Sequence, residues 1–312
     1  MVIIRLQGGL GNQLFQYALY LQLKAMGRSV KMDEILGFEG DLQRTPCLAR
    51  TLGIRYETAT DREVRTLRDA FMDPVSRIRR KLTGRRNLEW EEPDAAFHPE
   101  VLAMEEAYLN GYFQSDRYFG DPSVRETLGE IFAENIRRRM SGGGPAGFAA
   151  AAERIMADGE HAVSLHIRRG DYLLAEPAKT HGGICTEHYY GEAVTLVRGS
   201  VPDAVFYVFS DDAAYAAQFA QEGEAAGRGR FVPVCSLLSG ETEGPAEIDA
   251  ASLLLMRLCR HHILANSSFS WWGAWSARAE EETGIVIAPD RWFNNRPGDA
   301  VYTDRMRKLH VS

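Results

Sequence analysis

Two adjacent arginines end a short apolar run in His166-Ile167-Arg168-Arg169-Gly170-Asp171-Tyr172. A guanidinium stays charged at any working pH and matches diphosphate oxygens two N–H groups at a time. If a nucleoside diphosphate departs during a reaction, such cations neutralise the charge building on the leaving oxygen, a large catalytic contribution. Gly170 lets the chain turn sharply after the arginines. Asp171 either orients one of them or acts as a base, and the residue types alone leave both roles open. The plain alternative is an exposed loop held by solvent-facing salt bridges.

A second constellation complements the first. In Asn266-Ser267-Ser268-Phe269-Ser270-Trp271-Trp272-Gly273-Ala274-Trp275, an apolar run gives way to polar N-cap residues and then a helix. Hydroxyls and unbonded amides at a helix N-terminus form an anion cradle. The three tryptophans could stack on a sugar or base, although aromatics at helical spacing usually pack, and at least two are expected in the core. Asp249, on the preceding helix, could reach a guanine or ribose or stand as an ordinary exposed acid.

Two weaker signals remain. Phe209-Ser210-Asp211-Asp212 places adjacent carboxylates after a strand, but the chain lacks the Asp-x-Asp of metal-dependent glycosyltransferases. Ser210 or Asp211 serves better as the N-cap of the alanine-rich helix that follows, with ligand contact as the lesser reading. At the N-terminus, Gly8-Gly9-Leu10-Gly11-Asn12-Gln13-Leu14 joins a strand to a helix, and glycines there let backbone amides approach an anion. Asp33 falls where a ribose-binding acid of a dinucleotide fold belongs, yet Leu14 occupies the third glycine position of that fingerprint. His261 and His262 have no metal partner at ligand spacing, and His181 and Glu176 are minor candidates for a base.

These residues need a scaffold that brings strand ends together. Apolar runs at 162–167, 204–209, 231–234, 262–265 and 285–288 alternate with helical stretches, as do 2–6 and 29–32 around a helix at 12–26. Buried apolar strands separated by helices imply parallel sheets covered on both faces, with ligands beyond the carboxyl ends of the strands. Thr60-Asp61-Arg62-Glu63 has the form of a capping box. With 312 residues there is room for two domains, and Ser141-Gly142-Gly143-Gly144-Pro145 suggests a division into 1–145 and 146–312.

Composition excludes other classes. With 45% hydrophobic and 25% charged residues the chain is neither disordered nor fibrous, and a net charge of −7 offers no global field for nucleic acid. Four dispersed cysteines suit a reducing compartment, and no signal peptide or membrane-length apolar run is visible, so a cytoplasmic protein is expected. One basic cluster, Arg77, Arg79, Arg80, Lys81, Arg85 and Arg86, is either a solvated helix face or a site of attraction to an anionic membrane surface.

Taken in order, these stretches resemble the α-1,2-fucosyltransferases of glycosyltransferase family 11. Residues 8–18, Gly111-Tyr112-Phe113-Gln114-Ser115, residues 166–172, 209–212 and 266–274 each look like one of the family's motifs, from about residue 7 to residue 275. The resemblance implies a GT-B-type α/β fold of two Rossmann-like domains facing a cleft, with the acceptor on the N-terminal side. It implies an inverting transfer of fucose from GDP-β-L-fucose to the 2-hydroxyl of a terminal β-galactoside, in an oligosaccharide or a lipid-linked glycan. No cofactor or metal is implied, since GDP-fucose is a co-substrate. Arg168 matches the arginine that engages the β-phosphate, and Asp171 is the first choice for the base. His166, Arg169, Gly9, Gly11, Asn12, Gln13, Ser210, Asp211, Asp249, Asn266, Ser267, Ser268, Phe269 and Ser270 are the expected donor-binding residues. The alternatives are an oxidoreductase using the glycine turn with Asp33, and a nucleotide-sugar-binding protein without turnover.

Overall fold

The computed structural model describes residues 1–41, 43–238, 244–277 and 284–311. The chain divides into two compact units, Met1–Leu128 and Gly129–Ser312. Each is an α/β unit built on one parallel sheet, as the alternating pattern requires.

Among the described residues the first unit has four strands, β1 (Val2–Arg5), β2 (Val30–Asp33), β3 (Glu89–Glu91) and β4 (Ala107–Asn110), in the order β2-β1-β4-β3. Val2 pairs with Val30 on one side and Ala107 on the other, so β1 is central and buried on both faces. The helix Leu10–Ala25 follows β1 directly and is buried around most of its circumference, as expected of a helix with little polar face. Thr60 and Glu63 form the reciprocal capping box that starts the helix Asp61–Leu67.

Among the described residues the second unit has six strands, β5 (Ala162–Ile167), β6 (Val205–Ser210), β7 (Arg230–Pro233), β8 (His261–Ile263), β9 (Val286–Pro289) and β10 (Met306–Leu309), in the order β10-β9-β8-β5-β6-β7. All adjacent pairs are parallel. Val163, Leu165, Phe206, Val208 and Ile263 meet Tyr189, Val194 and Val197 of the helix Glu187–Ser200 in one buried cluster. Trp271, Trp272 and Trp275 are all buried, with Trp271 and Trp272 at 0% exposure, so none of the three is a stacking surface. Trp271 donates through its indole N–H to the Val301 carbonyl at 2.7 Å. Gly273 permits this packing, because a Cβ there would stand 2.9 Å from Met256 Cβ.

The glycine-rich segment at 141–147 lies inside the second unit, and the division between units falls earlier, within the helix Pro122–Met140. Close contact explains its composition. A Cβ on Gly144 would stand 2.5 Å from Arg139 Cγ, and one on Gly147, at φ +85°, would stand 1.9 Å from the Leu237 carbonyl oxygen.

Candidate active site

The register of the second sheet brings the expected residues together. Ile167 pairs with Ser210, and Leu165 pairs with Ile263. The segments that follow β5, β6 and β8 therefore leave the carboxyl edge side by side, where parallel sheets bind ligands.

Arg168 is the first residue beyond β5. The single 3-10 turn Gly170–Leu173 folds Asp171 back onto it, and Arg168 Nε and Nη2 donate to Asp171 Oδ1 at 3.1 and 2.8 Å. On its other side Nη1 pairs with Asp211 Oδ2 at 2.9 Å. Burial disfavours the guanidinium charge, but Asp211 and Asp171 outweigh it, so the group is held more firmly protonated than usual. Its side chain remains 29% exposed, so the cation is oriented without being sealed off.

Asp211 anchors this loop rather than capping a helix. Its Oδ1 accepts the Arg169 backbone N–H at 2.9 Å. A Cβ on Gly170 would stand 2.3 Å from Asp211 Oδ2. Gly170 thus permits close approach; it is not among the residues of positive φ, which corrects the expectation of a glycine needed for a sharp turn. The cap of the helix Ala213–Ala225 is Asp212, whose Oδ1 accepts the Tyr215 N–H at 3.0 Å, while Ser210 Oγ accepts the Asp212 N–H at 3.1 Å. Capping was expected of Ser210 or Asp211; the helix starts one residue later, and the carboxylate reaching its first turn belongs to Asp212.

Arg169 diverges from its neighbour. Its Nε donates to Asp212 Oδ2 at 3.1 Å, and its guanidinium carbon lies 4.0 Å from the Tyr215 ring centroid. The two arginines are therefore held by different acids. His166, the last-but-one residue of β5, is buried, packs on Phe269 at 5.4 Å between ring centroids, and has no partner for Nδ1 among the described residues. Burial, reinforced by Arg168, pushes its pKa down to about 3, so the ring is neutral at ordinary pH.

The expected cradle after β8 is partly consumed by the protein itself. Asn266 donates through Nδ2 to the carbonyls of His181 at 3.1 Å and Trp292 at 3.2 Å, and its Oδ1 accepts from Cys185 Sγ at 3.5 Å. Ser267 caps the helix Ser268–Ser276 by accepting the Phe269 N–H at 3.3 Å. Ser270 donates to the Ala265 and Ser267 carbonyls, both at 3.3 Å. Ser268 and Phe269, half-buried on the first turn, are left as the accessible part of the cradle. Tyr172 binds the Asn266 carbonyl at 2.9 Å and stacks on His181 at 4.8 Å, locking the arginine loop to this segment. Asp249, exposed on the helix Pro245–Leu258, has its pKa raised by partial burial and by Asp211, against the opposing pull of Arg168. It therefore shares the electrostatic environment of the arginine. Glu176 is exposed and paired with Lys179.

In the first unit, Gly9 caps the helix Leu10–Ala25 without any side-chain bond, and a Cβ on it would meet nothing within 4 Å. Asn12 Oδ1 accepts from Gln114 Nε2 at 2.7 Å, and Gly11 is buried within the helix. Gln13 is structural: it donates to the Gly8 and Thr45 carbonyls at 2.8 and 3.0 Å and accepts the Cys47 N–H at 3.0 Å. Asp33 is buried, and its carboxylate accepts from Tyr108 OH at 2.7 Å and Ile35 N at 2.9 Å. It is not presented to a ribose, which removes the residue on which the dinucleotide alternative depended.

Tyr215 and Glu92 had no signal in the motifs. Glu92 accepts the N–H groups of Tyr112 at 2.8 Å and Phe113 at 3.1 Å, holding Phe113 at φ +53°. A Cβ on Gly111 would stand 2.6 Å from Glu92 Cβ, so the spacing of the 111–115 motif is tied to an acid far from it in sequence. His262 and His261 are structural, as expected: His262 Nδ1 shares a 2.7 Å hydrogen bond with Ser164 Oγ, and His261 Nε2 lies 3.0 Å from the Glu160 carbonyl.

The family model described as glycosyl transferase family 11 matches residues 103–298, which span both units. The chain belongs to that family. Over 297 residues, 94% of this family 11 chain and 92% of the relative, it is 30% identical to the alpha-1,2-colitosyltransferase of Escherichia coli. It is 27% identical over 304 residues to the O-antigen biosynthesis glycosyltransferase WbnK of Escherichia coli, covering 93% and 95% of the two chains. Among solved structures, POFUT1 in complex with GDP-fucose matches with a TM-score of 0.41 at 11% identity, over 91% of this chain and 96% of that one. Membership of family 11 makes the chain a glycosyltransferase.

Proposed function

We propose that this glycosyltransferase moves L-fucose from GDP-β-L-fucose to the 2-hydroxyl of a terminal β-galactoside, on an oligosaccharide or a lipid-linked glycan, without a metal. The observation that carries the donor side is Arg168, fixed between Asp171 and Asp211 at the end of the central strand, beside a neutral His166 with an unpartnered nitrogen. In a single in-line displacement the acceptor oxygen bonds to the anomeric carbon as its bond to the β-phosphate oxygen breaks. Arg168 receives the charge on the departing GDP. The acceptor proton goes to a carboxylate, for which Asp171 is the choice. Its Oδ1 is occupied by Arg168, so a diphosphate that draws the guanidinium towards itself also frees the base. The half-buried first turn at Ser268 and Phe269 is the further donor contact.

Support for the 2-linkage comes from the motif resemblance and from the relative named an alpha-1,2-colitosyltransferase. That relative makes a colitosyl nucleotide the competing donor. The test is GDP release from GDP-fucose in EDTA, with and without lactose, with the colitosyl donor run in parallel and the product linkage read by NMR. Lactose-dependent release in EDTA with a 1,2-linked product is expected. Faster turnover of the colitosyl donor would overturn the choice of fucose, and loss of release in EDTA would overturn the metal-free mechanism.

A further inference from the structure

The helix Pro74–Thr83 carries most of the basic cluster for which sequence leaves a solvated face and a membrane-attracted one as alternatives, and it takes no part in the candidate active site. Asp73 caps it through the Ser76 N–H, and Pro74 occupies its first turn. No residue of the helix is buried. The face towards the protein carries Arg79 and Arg80, both bound to the buried carboxylate of Asp69, and Arg80 also donates to the Phe71 carbonyl at 2.7 Å. Asp69 additionally accepts the Arg86 N–H at 2.9 Å, so one acid, in a left-handed conformation at φ +50°, secures both the helix and the chain beyond it.

With Arg79 and Arg80 turned towards Asp69, the helix shows its apolar side chains to water. Val75, Ile78 and Leu82 are 75%, 58% and 79% exposed and lie three and four residues apart, on one stripe. Met72, just before the helix, is 65% exposed. Arg77 and Lys81 are exposed on one flank of the stripe and Arg85 and Arg86 just beyond the helix, and no acid is paired with Arg77 or Lys81 among the described residues. An ordinary surface helix buries such a stripe.

We propose that this helix lies in the plane of an anionic phospholipid surface, with Val75, Ile78 and Leu82 in the acyl boundary and the surrounding cations on the headgroups. Charge complementarity selects lipid over protein. A ten-residue helix is roughly 15 Å long, and three side chains along it fall well short of the roughly 800 Å² per partner of a stable protein interface. A second copy of the chain would bring the same cations face to face. A short amphipathic helix with basic flanks is instead the known form of an interfacial anchor. Among the described residues no helix is long and apolar enough to cross a membrane, so the contact would be peripheral. The inference stands independently of the donor and acceptor proposed above.

The experiment is co-sedimentation of the full chain with vesicles of phosphatidylglycerol and phosphatidylcholine, against vesicles of phosphatidylcholine alone. Salt-sensitive pelleting with the anionic vesicles only is expected. Ile78→Ser with Leu82→Ser keeps every charge and should weaken the partition by at least about tenfold, as burial of two aliphatic side chains would require. Arg77→Glu with Lys81→Glu should abolish it. These side chains are exposed, so melting temperature and GDP binding should match the parent chain and report on folding. Absence of pelleting on anionic vesicles overturns the proposal, as does pelleting that survives the serine pair. A parent dimer that the serine pair converts to monomer would assign the stripe to chain–chain contact and overturn it equally.

Discussion

Replacing Gly170 with alanine tests whether the arginine loop is as tightly coupled as its contacts imply. The new methyl would stand 2.3 Å from Asp211 Oδ2 and 3.2 Å from its Cγ. Ordinary contact requires the carboxylate to retreat by about 1 Å. That carboxylate holds Arg168 Nη1 at 2.9 Å through Oδ2 and the Arg169 N–H at 2.9 Å through Oδ1. A retreat of that size breaks one charge-assisted bond, costing about 2 kcal/mol, or roughly 4–8 °C in melting temperature for a unit of this size. The arginine follows the acid, and a misplacement of about 1 Å at a leaving-group contact costs on the order of 100-fold in turnover. Steady-state GDP release and thermal melting measure both quantities. The decisive control is the same substitution in an Asp211→Ala chain, where the methyl meets no carboxylate and Gly170→Ala should be nearly neutral. Parent-like turnover of Gly170→Ala, or strictly additive effects in the double variant, would falsify the coupling.

Three further outcomes follow from the same contacts. Burial holds His166 and His262 at a pKa of about 3, against 6.5 in the unfolded chain, so the unfolded state binds the extra protons and stability falls as the pH drops below 6.5. By pH 5.5 the loss is about 1.4 kcal/mol for each, and urea midpoints that stay flat from pH 7.5 to 5.5 would contradict it. Glu92→Ala removes the acceptor of two backbone N–H groups around left-handed Phe113 and should cost about 2–4 kcal/mol; a melting temperature matching the parent would show that the turn does not need the acid. Arg168→Ala should lower turnover by more than ~100-fold, whereas Arg169→Ala should lower it about tenfold less, since Tyr215 and Asp212 hold that guanidinium elsewhere. Equal losses would mean that both arginines serve the same phosphate.

Strands with apolar residues on both faces were legible because nothing else in a chain of ordinary composition looks like them. Ala162–Ile167 was read to the residue, and β6, β7, β8 and β9 within about two residues at either end. Three strands left no mark. Glu89–Glu91 is three residues with a glutamate at each end, Ala107–Asn110 follows two glutamates and spans four residues, and Met306–Leu309 is an edge strand with two basic residues exposed. Periodicity over three or four residues cannot separate a strand from a loop. Among the site residues, the motifs contain the arginines and the acids Asp171, Asp211 and Asp212 that hold them, but not which acid meets which arginine. Tyr215, Glu92 and Asp212 act across the fold on partners chosen by register, and register is not written in any one segment.

That asymmetry bears on how the candidate residues divide. Asn266, Gln13 and Ser270 belong to the motifs, yet their polar atoms are committed to protein partners and they act by holding backbone in place. Arg168, His166 and Ser268 are the groups with surface or a nitrogen still to offer among the described residues. Substituting the first set should move melting temperature and turnover together, because the damage passes through the fold. Of the second, Ser268 should move GDP affinity with melting temperature nearly fixed, since a half-buried serine contributes little to stability, whereas replacing Arg168, bound to two acids, or the buried His166 should move turnover and melting temperature together. Ser268→Ala beside Ser270→Ala is the cleanest pair, two serines on one turn, the first half-buried and the second buried with its hydroxyl bound to the Ala265 and Ser267 carbonyls. Loss of GDP affinity in the first without loss of stability, and the reverse in the second, would assign the phosphate contact to the accessible end of the turn. The same pattern in both would refute a division drawn from hydrogen bonding.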